Sequence, residues 1–293
     1  MNSNNSTLTA RIWRIDWNGV CYRFSRHPQM LVGLAIIVVM VFTMIFAPWI
    51  APYTPSKLDL LNRLAPPSAA HWFGTDQIGR DIFSRVVYGS RISVTVGLGV
   101  VIVALPIGAC IGAFSGLLGG AVDTAIMRVM DVLLSFPAFV MAIALASALG
   151  PSLTNAMLAI AILRIPFYVR LARGQALSLR ERTYVKAAET FGSSRIRIVW
   201  RHIIPNAIAP VLVQATLDIG AAILTASALS FLGLGAKEPE AEWGAMVSTG
   251  RNFLLDQWWF PTFPGLAILV TAIGFNLLGD GLREMIDPKS HAR

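Results

Sequence analysis

Apolar residues are gathered into long blocks, which short polar and charged segments separate. A helix needs about 20 mostly apolar residues to cross the roughly 30 Å hydrocarbon core of a bilayer. Six blocks meet this length or approach it, and they cover residues 30–50, about 92–115, 132–149, 153–169, 207–232 and 260–278. The pattern therefore predicts an all-α, polytopic membrane protein with six transmembrane helices.

The composition agrees with a membrane protein. Hydrophobic residues make up 55% of the chain and charged residues 14%, against about 25% charged in a soluble domain. Cys21 and Cys110 form no C-x-x-C pair, and the four histidines are scattered without an H-E-x-x-H motif. We therefore expect no disulfide framework, no metal site, no cofactor and no catalytic residue.

The net charge of +8 is typical of membrane topology rather than of nucleic-acid binding, because the basic residues lie between the apolar blocks. With the N-terminus inside, the inner segments hold Arg11, Arg14, Arg23, Arg26, Arg128, Arg170, Arg173, Arg180, Arg182, Lys186, Arg195, Arg197, Arg201, Arg283, Lys289 and Arg293. The outer segments hold Lys57, Arg63, Arg80, Arg85, Arg91, Lys237 and Arg251. This bias predicts that both termini are cytoplasmic. The polar start of the chain is interpreted as a retained tail rather than a cleaved signal peptide.

The second block carries small residues at four-residue spacing: Ala104, Gly108, Gly112, Gly116 and Gly120. Small residues on one helix stripe let another helix approach closely in lipid. The stripe favours a tight helix contact within a moving bundle, although glycine is also simply common in membrane helices.

The longest inner polar segment, residues 172–205, has helical periodicity on both sides of Gly192. Gly192 is typical of a helix end, and Pro205 is expected to stop the second helix before the fifth span. The segment is predicted to form a helix, a turn and another helix. The alternative is a basic hairpin that lies on anionic lipid.

In this segment Lys186-Ala187-Ala188 is followed by Gly192 and, thirteen residues after that glycine, by Pro205. This spacing resembles the E-A-A loop of ATP-binding-cassette (ABC) importer permeases. Lys186, His202 and Ile204 replace the Glu, Ile and Leu of the family pattern. Further stretches, GTDQIGRDIFSRVVYGSRIS, IMRVMDVLLSFP, LSFLGLGAKEPEAEWGAM and FPGLAILVTAIGFNLLGDGLREMIDP, resemble the second permease of dipeptide/oligopeptide/nickel importers. The blocks PPSAAHWFGTD, LRIPFYVRLARGQAL and DQWW are most similar to the D-alanyl-D-alanine branch.

The resemblance implies a type I ABC importer permease fold in the bacterial inner membrane. It implies three kinds of partner besides membrane lipid: a homologous second permease, two ATP-binding subunits and a periplasmic solute-binding protein. The implied ATPase-coupling residues are Tyr184, Lys186, Ala187, Ala188, Gly192 and Pro205. The chain has no G-x-x-x-x-G-K-[ST] motif, so ATP hydrolysis is expected on the separate subunits.

The implied division of the chain has four parts. Residues 1–29 form a cytoplasmic tail, and residues 30–91 the first transmembrane helix with a long periplasmic loop. Residues 92–282 form the five-helix transmembrane domain with the cytoplasmic coupling loop 172–205. Residues 283–293 form a second cytoplasmic tail.

Two charges lie inside predicted spans, Asp218 near the middle of the fifth and Arg164 nearer the inner end of the fourth. Such groups are costly in lipid and are expected to face the bundle interior or water. Three interpretations stay open: an Arg164–Asp218 ion pair, contact of Asp218 with the ammonium group of a peptide, or neither, with Arg164 reaching the inner headgroups. Gln214 lies one turn before Asp218 and shares its face.

The outer segments offer weaker signals. Trp243, Trp258 and Trp259 are typical of an interfacial aromatic belt, or they form a docking surface for the binding protein. Asp81 and Arg85 stand at helical spacing, which suggests a salt-bridged surface helix.

The leading prediction is ATP-driven import of a small peptide. The same architecture importing nickel or another solute is an alternative. A membrane enzyme would need a catalytic constellation, and a stand-alone secondary transporter would be expected to contain inverted repeats. Neither feature is evident in the sequence.

Overall fold

The computed structural model describes residues 28–286, and 78% of these residues are helical. No strand occurs in this range. The predicted tail residues Arg11, Arg14, Arg23, Arg26, Lys289 and Arg293 lie outside it. The helices are α1 (Pro28–Ile50), α2 (Ile82–Leu118), α3 (Gly120–Ser135), α4 (Ala138–Leu149), α5 (Leu153–Arg180), α6 (Thr183–Thr190), α7 (Arg195–Ile198), α8 (Ile204–Phe231), α9 (Trp243–Gly250) and α10 (Trp259–Ile286).

Five helices in this range are long and apolar enough to cross a membrane: α1, α2, α5, α10 and the continuous helix through α7 and α8. The sixth crossing comes from α3 and α4, which meet at an angle of 91°. Helices α2 and α5 pack in parallel, because Gly108 faces Tyr168 and Gly116 faces Ala176. The chain must therefore recross the membrane between them, where α3 and α4 lie. The all-α fold with six transmembrane crossings is confirmed.

Two helices are longer than the spans predicted within them. Helix α2 begins at Ile82, before the predicted start near residue 92. Helix α5 continues to Arg180, past the predicted end near residue 169, because Ala, Leu, Gln and Arg are good helix formers beyond the lipid. The third span is not one straight helix over 132–149. It breaks at Phe136 and Pro137, since a proline disfavours helical geometry in the residue before it.

The small-residue stripe of α2 packs on α5. A Cβ atom on Gly112 would lie 2.9 Å from the Cβ of Ala172, and one on Gly116 would lie 2.7 Å from the Cβ of Ala176. These contacts are closer than side chains tolerate, so glycine sets the distance between the two helix axes. Further out, Val100, Ala104 and Ile160 continue the interface as a buried apolar cluster.

Helix α1 packs on α10 and contains Pro48. A proline inside a helix leaves the carbonyl four residues earlier without its backbone donor, and here that carbonyl belongs to Met44. The Arg91 side chain of α2 supplies the missing donor, with Nε 2.7 Å from the Met44 oxygen and Nη2 3.0 Å from the Ile45 oxygen. Arg91 thereby ties α1 to the bundle.

The segments 51–81 and 232–258 together form an outer lobe on one end of the bundle. Arg80, whose side chain is almost fully buried, pairs with Asp76 at 2.5 Å and with Glu238 of the other segment. Burial alone would lower the pKa of Arg80, but its bonds with Glu238 and Asp76 raise it. Burial alone would raise the pKa of Glu238, but the hydrogen bond from Arg80 and the charge of Arg85 lower it. The pair therefore stays ionised and joins the two segments.

The surface-helix interpretation of Asp81 and Arg85 was wrong. Both residues are buried. Asp81 caps α2 by accepting from the Ser84 N–H at 2.7 Å, whereas Arg85 donates to the Pro55 carbonyl at 3.1 Å. Asp81 and Arg85 lie at the start of α2, where the folded segment 51–81 covers them. The spacing of the two residues in the sequence does not reveal this cover.

The aromatic-belt interpretation applies only in part. Trp258 is half exposed, but Trp243 is fully buried and donates its indole N–H to the Val86 carbonyl at 2.9 Å. The buried Glu242 caps α9 by accepting from Gly244 and Ala245, and burial raises the pKa of this carboxyl.

Candidate functional site

Residues 183–203 form a helix–turn–helix, called here the basic hairpin, at the end of the bundle opposite the outer lobe. Helix α6 ends in a Schellman motif, in which Gly192 N–H donates to Glu189 and Ser193 N–H to Ala188, each at 2.9 Å. Gly192 has φ +78°, the left-handed geometry that this motif requires. Ser194 then caps α7 by accepting from the Arg197 N–H.

One side of the basic hairpin is anchored in the bundle. Val185, Ile198 and Ile203 are fully buried against Ala113 of α2 and Ala176 of α5. A rigid-body movement of the hairpin would therefore be transmitted to both of these membrane helices, because packed interfaces do not deform continuously.

The other side of the hairpin exposes large apolar side chains. Phe191 is 88% exposed, Ile196 63% and Trp200 55%. An apolar patch rimmed by basic residues at a membrane protein's polar end marks an interaction surface.

The predicted coupling residues occupy different parts of this hairpin. Tyr184 and Ala187 are exposed, while Ala188 packs partly against the buried cluster. Lys186, which stands where the family pattern has Glu, pairs with Glu181 at 3.0 Å. Hydrogen bonding from Lys186, followed by its charge, lowers the pKa of Glu181.

The prediction that Pro205 stops the helix was wrong. Pro205 is the second residue of α8, which follows a π-helical turn directly, so the chain stays helical through this proline. The preceding residues Val199–Ile203 form a π-helical turn, so the helix runs without a break from Arg195 to Phe231.

The two membrane charges lie together. Arg164 Nη1 is 3.3 Å from Asp218 Oδ1. Helix α5 continues to Arg180, so Arg164 lies well inside this helix rather than near its end. Gln214 lies one turn before Asp218 on the same face of α8, and the buried Tyr168 lies one turn beyond Arg164 on α5.

A cavity of about 250 Å³ opens beside this pair, between α4, α5 and α8. Its lining is mostly apolar and includes Arg164 but not Asp218. The full set is Leu134, Ala138, Phe139, Ala142, Ile160, Leu163, Arg164, Phe167 and Thr225.

Sequence reasoning missed two features. It assigned no role to Phe191, although this large aromatic residue lies in a polar segment directly before a helix-ending glycine. It also left the Arg80–Glu238 pair unassigned, because 158 residues separate the partners and nothing local links them.

Comparison with known proteins covers nearly the whole chain. The profile described as "Binding-protein-dependent transport system inner membrane component" matches residues 108–291, and that of the "N-terminal TM domain of oligopeptide transport permease C" matches residues 8–67. The probable D,D-dipeptide transport system permease protein DdpC of Escherichia coli (strain K12) is 60% identical over 90% of this chain and 88% of that protein. The dipeptide permease DppC of Alkalihalophilus pseudofirmus is 45% identical over 93% and 90%. The DppC of Escherichia coli (strain K12) is 43% identical over 98% of both chains.

Proposed function

Because the chain belongs to the family of binding-protein-dependent inner-membrane permeases, we propose that it forms half of a conduit for a small D,D-dipeptide and is driven through the basic hairpin. It is a multi-pass permease subunit of an ABC peptide importer and a non-catalytic transport component. What is proposed is the substrate, the partners' contacts and the orientation.

The proposed assembly has a second, homologous permease, two ATP-binding subunits and a periplasmic solute-binding protein, all held in membrane lipid. The basic hairpin and both termini are cytoplasmic, and the outer lobe is periplasmic. The cluster of Arg and Lys at the hairpin end supports this orientation, since positive residues are retained inside.

One observation carries the coupling proposal, namely the two-sided hairpin. Its inner side is buried in α2 and α5 through Val185 and Ile198, while Phe191 projects 88% exposed on the other side. An ATP-binding subunit that receives Phe191 in a groove would move both membrane helices with the hairpin.

The substrate proposal rests on likeness. The D,D-dipeptide permease shares 60% identity, against 45% and 43% for the two dipeptide permeases. D-alanyl-D-alanine is therefore the probe, with L-alanyl-L-alanine and Ni²⁺ as the competing solutes.

The experiment reconstitutes the complete importer in liposomes and measures ATP-driven uptake of radiolabelled D-alanyl-D-alanine. Wild type is expected to take up this peptide in preference to both competitors. Phe191→Ala removes the interface anchor, which costs about 2 kcal/mol in the docked state, so uptake should fall about 30-fold.

Phe42→Ala is the matched control, because Phe42 lies on the exposed face of α1, away from the hairpin. It should transport at the wild-type rate. Normal uptake by Phe191→Ala would refute the docking surface, whereas preference of wild type for Ni²⁺ or for L-alanyl-L-alanine would refute the substrate.

A further inference from the structure

We infer that the cavity between α4, α5 and α8 is a carboxylate subsite, in which Arg164 binds the C-terminal carboxylate of the peptide in transit. Asp218 is a positioning residue, which contacts the guanidinium on the side away from the cavity. This inference rests on the proposed peptide conduit and assigns the chemical group that the conduit recognises.

The cavity has the size and lining of a site for a small solute. Its volume of about 250 Å³ lies just below the roughly 300–1,000 Å³ of drug-sized ligand sites. Apolar side chains such as Leu163 and Phe139 dominate the wall, and Arg164 is its one charged residue. A single cation in an apolar wall selects for an anionic group.

The ion pair is asymmetric, and this decides which partner meets the solute. The Arg164 side chain is 30% exposed, whereas that of Asp218 is 5% exposed and does not line the cavity. This geometry disfavours the interpretation in which Asp218 receives the peptide ammonium group. The group that faces the cavity is the guanidinium.

Arg164 retains donors for a ligand. A guanidinium carries five N–H donors in a planar fork, and the described residues supply one ionic contact, from Asp218 at 3.3 Å. A carboxylate fits the remaining edge with two parallel hydrogen bonds. Low polarity around the site strengthens such bonds.

The bend between α3 and α4 indicates which environment surrounds the open side of the cavity. Leu134 and Ala138 flank the 91° break and line the cavity. The helix ends at such a break leave backbone N–H and C=O groups without intrahelical partners, and these groups are not tolerated against hydrocarbon. The exposed bend therefore faces water or protein, as a transport path would require.

Asp218 has a defined part in this arrangement. An unpaired cation inside the membrane is costly, so the buried Asp218 neutralises Arg164 while the path is empty. Its Oδ2 atom is buried without a hydrogen bond to the described residues, so the carboxylate holds Arg164 through one oxygen only. A substrate carboxylate can then share the guanidinium without displacing a bidentate partner.

The first test is uptake of D-alanyl-D-alanine by the complete importer, with assembly and binding-protein-stimulated ATP hydrolysis measured in parallel. Arg164→Gln should lower uptake about 10- to 100-fold, as expected for the loss of charge-assisted hydrogen bonds, while ATP hydrolysis continues. Arg164→Lys should restore part of the uptake. Arg170 lies on α5 like Arg164 and forms an exposed pair with Asp131 of α3, so Arg170→Gln is the matched control and should transport normally.

The charge-swapped variant Arg164→Asp/Asp218→Arg separates this role from a merely structural ion pair. If the pair only stabilises the fold, the swap should restore uptake; if Arg164 binds substrate, the swap should stay inactive although the importer assembles. Restored uptake, or normal uptake by Arg164→Gln, overturns the inference. Failure of wild type to transport any peptide would instead overturn the proposed function beneath it.

A second measurement does not need transport. Leu163→Cys, in a background with Cys21→Ser and Cys110→Ser, places a thiol on the cavity wall of the complete importer. D-alanyl-D-alanine should slow labelling of this thiol by an anionic thiol reagent, whereas its C-terminal amide should not. The protection should vanish with Arg164→Gln, and equal protection by peptide and amide would contradict a carboxylate subsite.

Discussion

Gly192 is required for its backbone geometry rather than for lack of space. A Cβ atom at this position would meet nothing within 4 Å, yet φ is +78°. A β-branched residue is strained there, at about 1–2 kcal/mol or more. We expect Gly192→Val to insert in the membrane normally but to abolish ATP-driven uptake, because the turn that orients Phe191 is lost.

Asparagine tolerates the left-handed region, so Gly192→Asn is the matched control. It should retain most of the uptake of wild type in the same reconstituted assay. If valine and asparagine behave alike, then backbone geometry is not what position 192 supplies.

At the same scale, the sequence marked Arg164 and Asp218 correctly as unusual, since charges inside apolar blocks need a partner or water. It did not show how far α5 continues beyond Arg164, because the fourth span was predicted to end near residue 169, whereas the helix ends at Arg180. It also did not reveal that only Arg164 faces the cavity, because side-chain exposure depends on how α4, α5 and α8 pack.

Among the elements, the contact between α2 and α5 depends on glycine. A Cβ atom on Gly112 would approach the backbone of α5, lying 2.9 Å from the Arg173 nitrogen. Because backbone cannot move aside as a flexible side chain can, Gly112→Ala should force the helices apart at a cost of about 1–3 kcal/mol. We expect a lower thermal unfolding midpoint of the detergent-solubilised importer and slower uptake.

Gly174→Ala provides the comparison. Gly174 lies on α5, the helix that Gly112 approaches, but a Cβ atom at position 174 would meet nothing within 4 Å. Alanine is a better helix former than glycine, so this variant should be as stable as wild type or slightly more so. A Gly112→Ala protein as stable as Gly174→Ala would show that the close approach is dispensable.

The elements were predicted best where the apolar run is long and unbroken, as in α1, which was predicted over residues 30–50 and covers Pro28–Ile50. The bent span was missed although Pro137 was visible, because a proline signals a break but not the 91° angle that neighbouring packing produces. Pro205 gave the opposite error. Pro137 lies at a break between two helices, whereas the helix continues through Pro205. The π-helical turn before Pro205 distinguishes this position from Pro137.

On the scale of the whole molecule, function is divided between the two ends of one bundle. The basic hairpin grips α2 and α5 at one end through Ile198 and Ile203. The outer lobe closes over the start of α2 at the other end, where Arg85 donates to the Pro55 and Glu240 carbonyls. Helix α2 therefore links the basic hairpin to the outer lobe. Such links between distant segments cannot be inferred from local sequence patterns.

The Arg80–Glu238 pair is what joins the two segments of the outer lobe, and its contribution should depend on pH. The folded pKa of Glu238 lies below its ordinary value of 4.5, so the stabilisation is present above that pH and is lost as the pH falls through the folded pKa.

Because the Glu238 side chain is 44% exposed, we expect Glu238→Gln to cost only about 1 kcal/mol at pH 7, or about 2–4 °C in the unfolding midpoint. The difference from wild type should shrink as the pH falls below 4.5 and vanish below the folded pKa, where wild-type Glu238 is also neutral. Glu240→Gln, a substitution of an exposed carboxylate in the same segment, should leave the midpoint unchanged at both pH values, and a Glu238 effect that persists undiminished in acid would mean that its charge does not hold the lobe together.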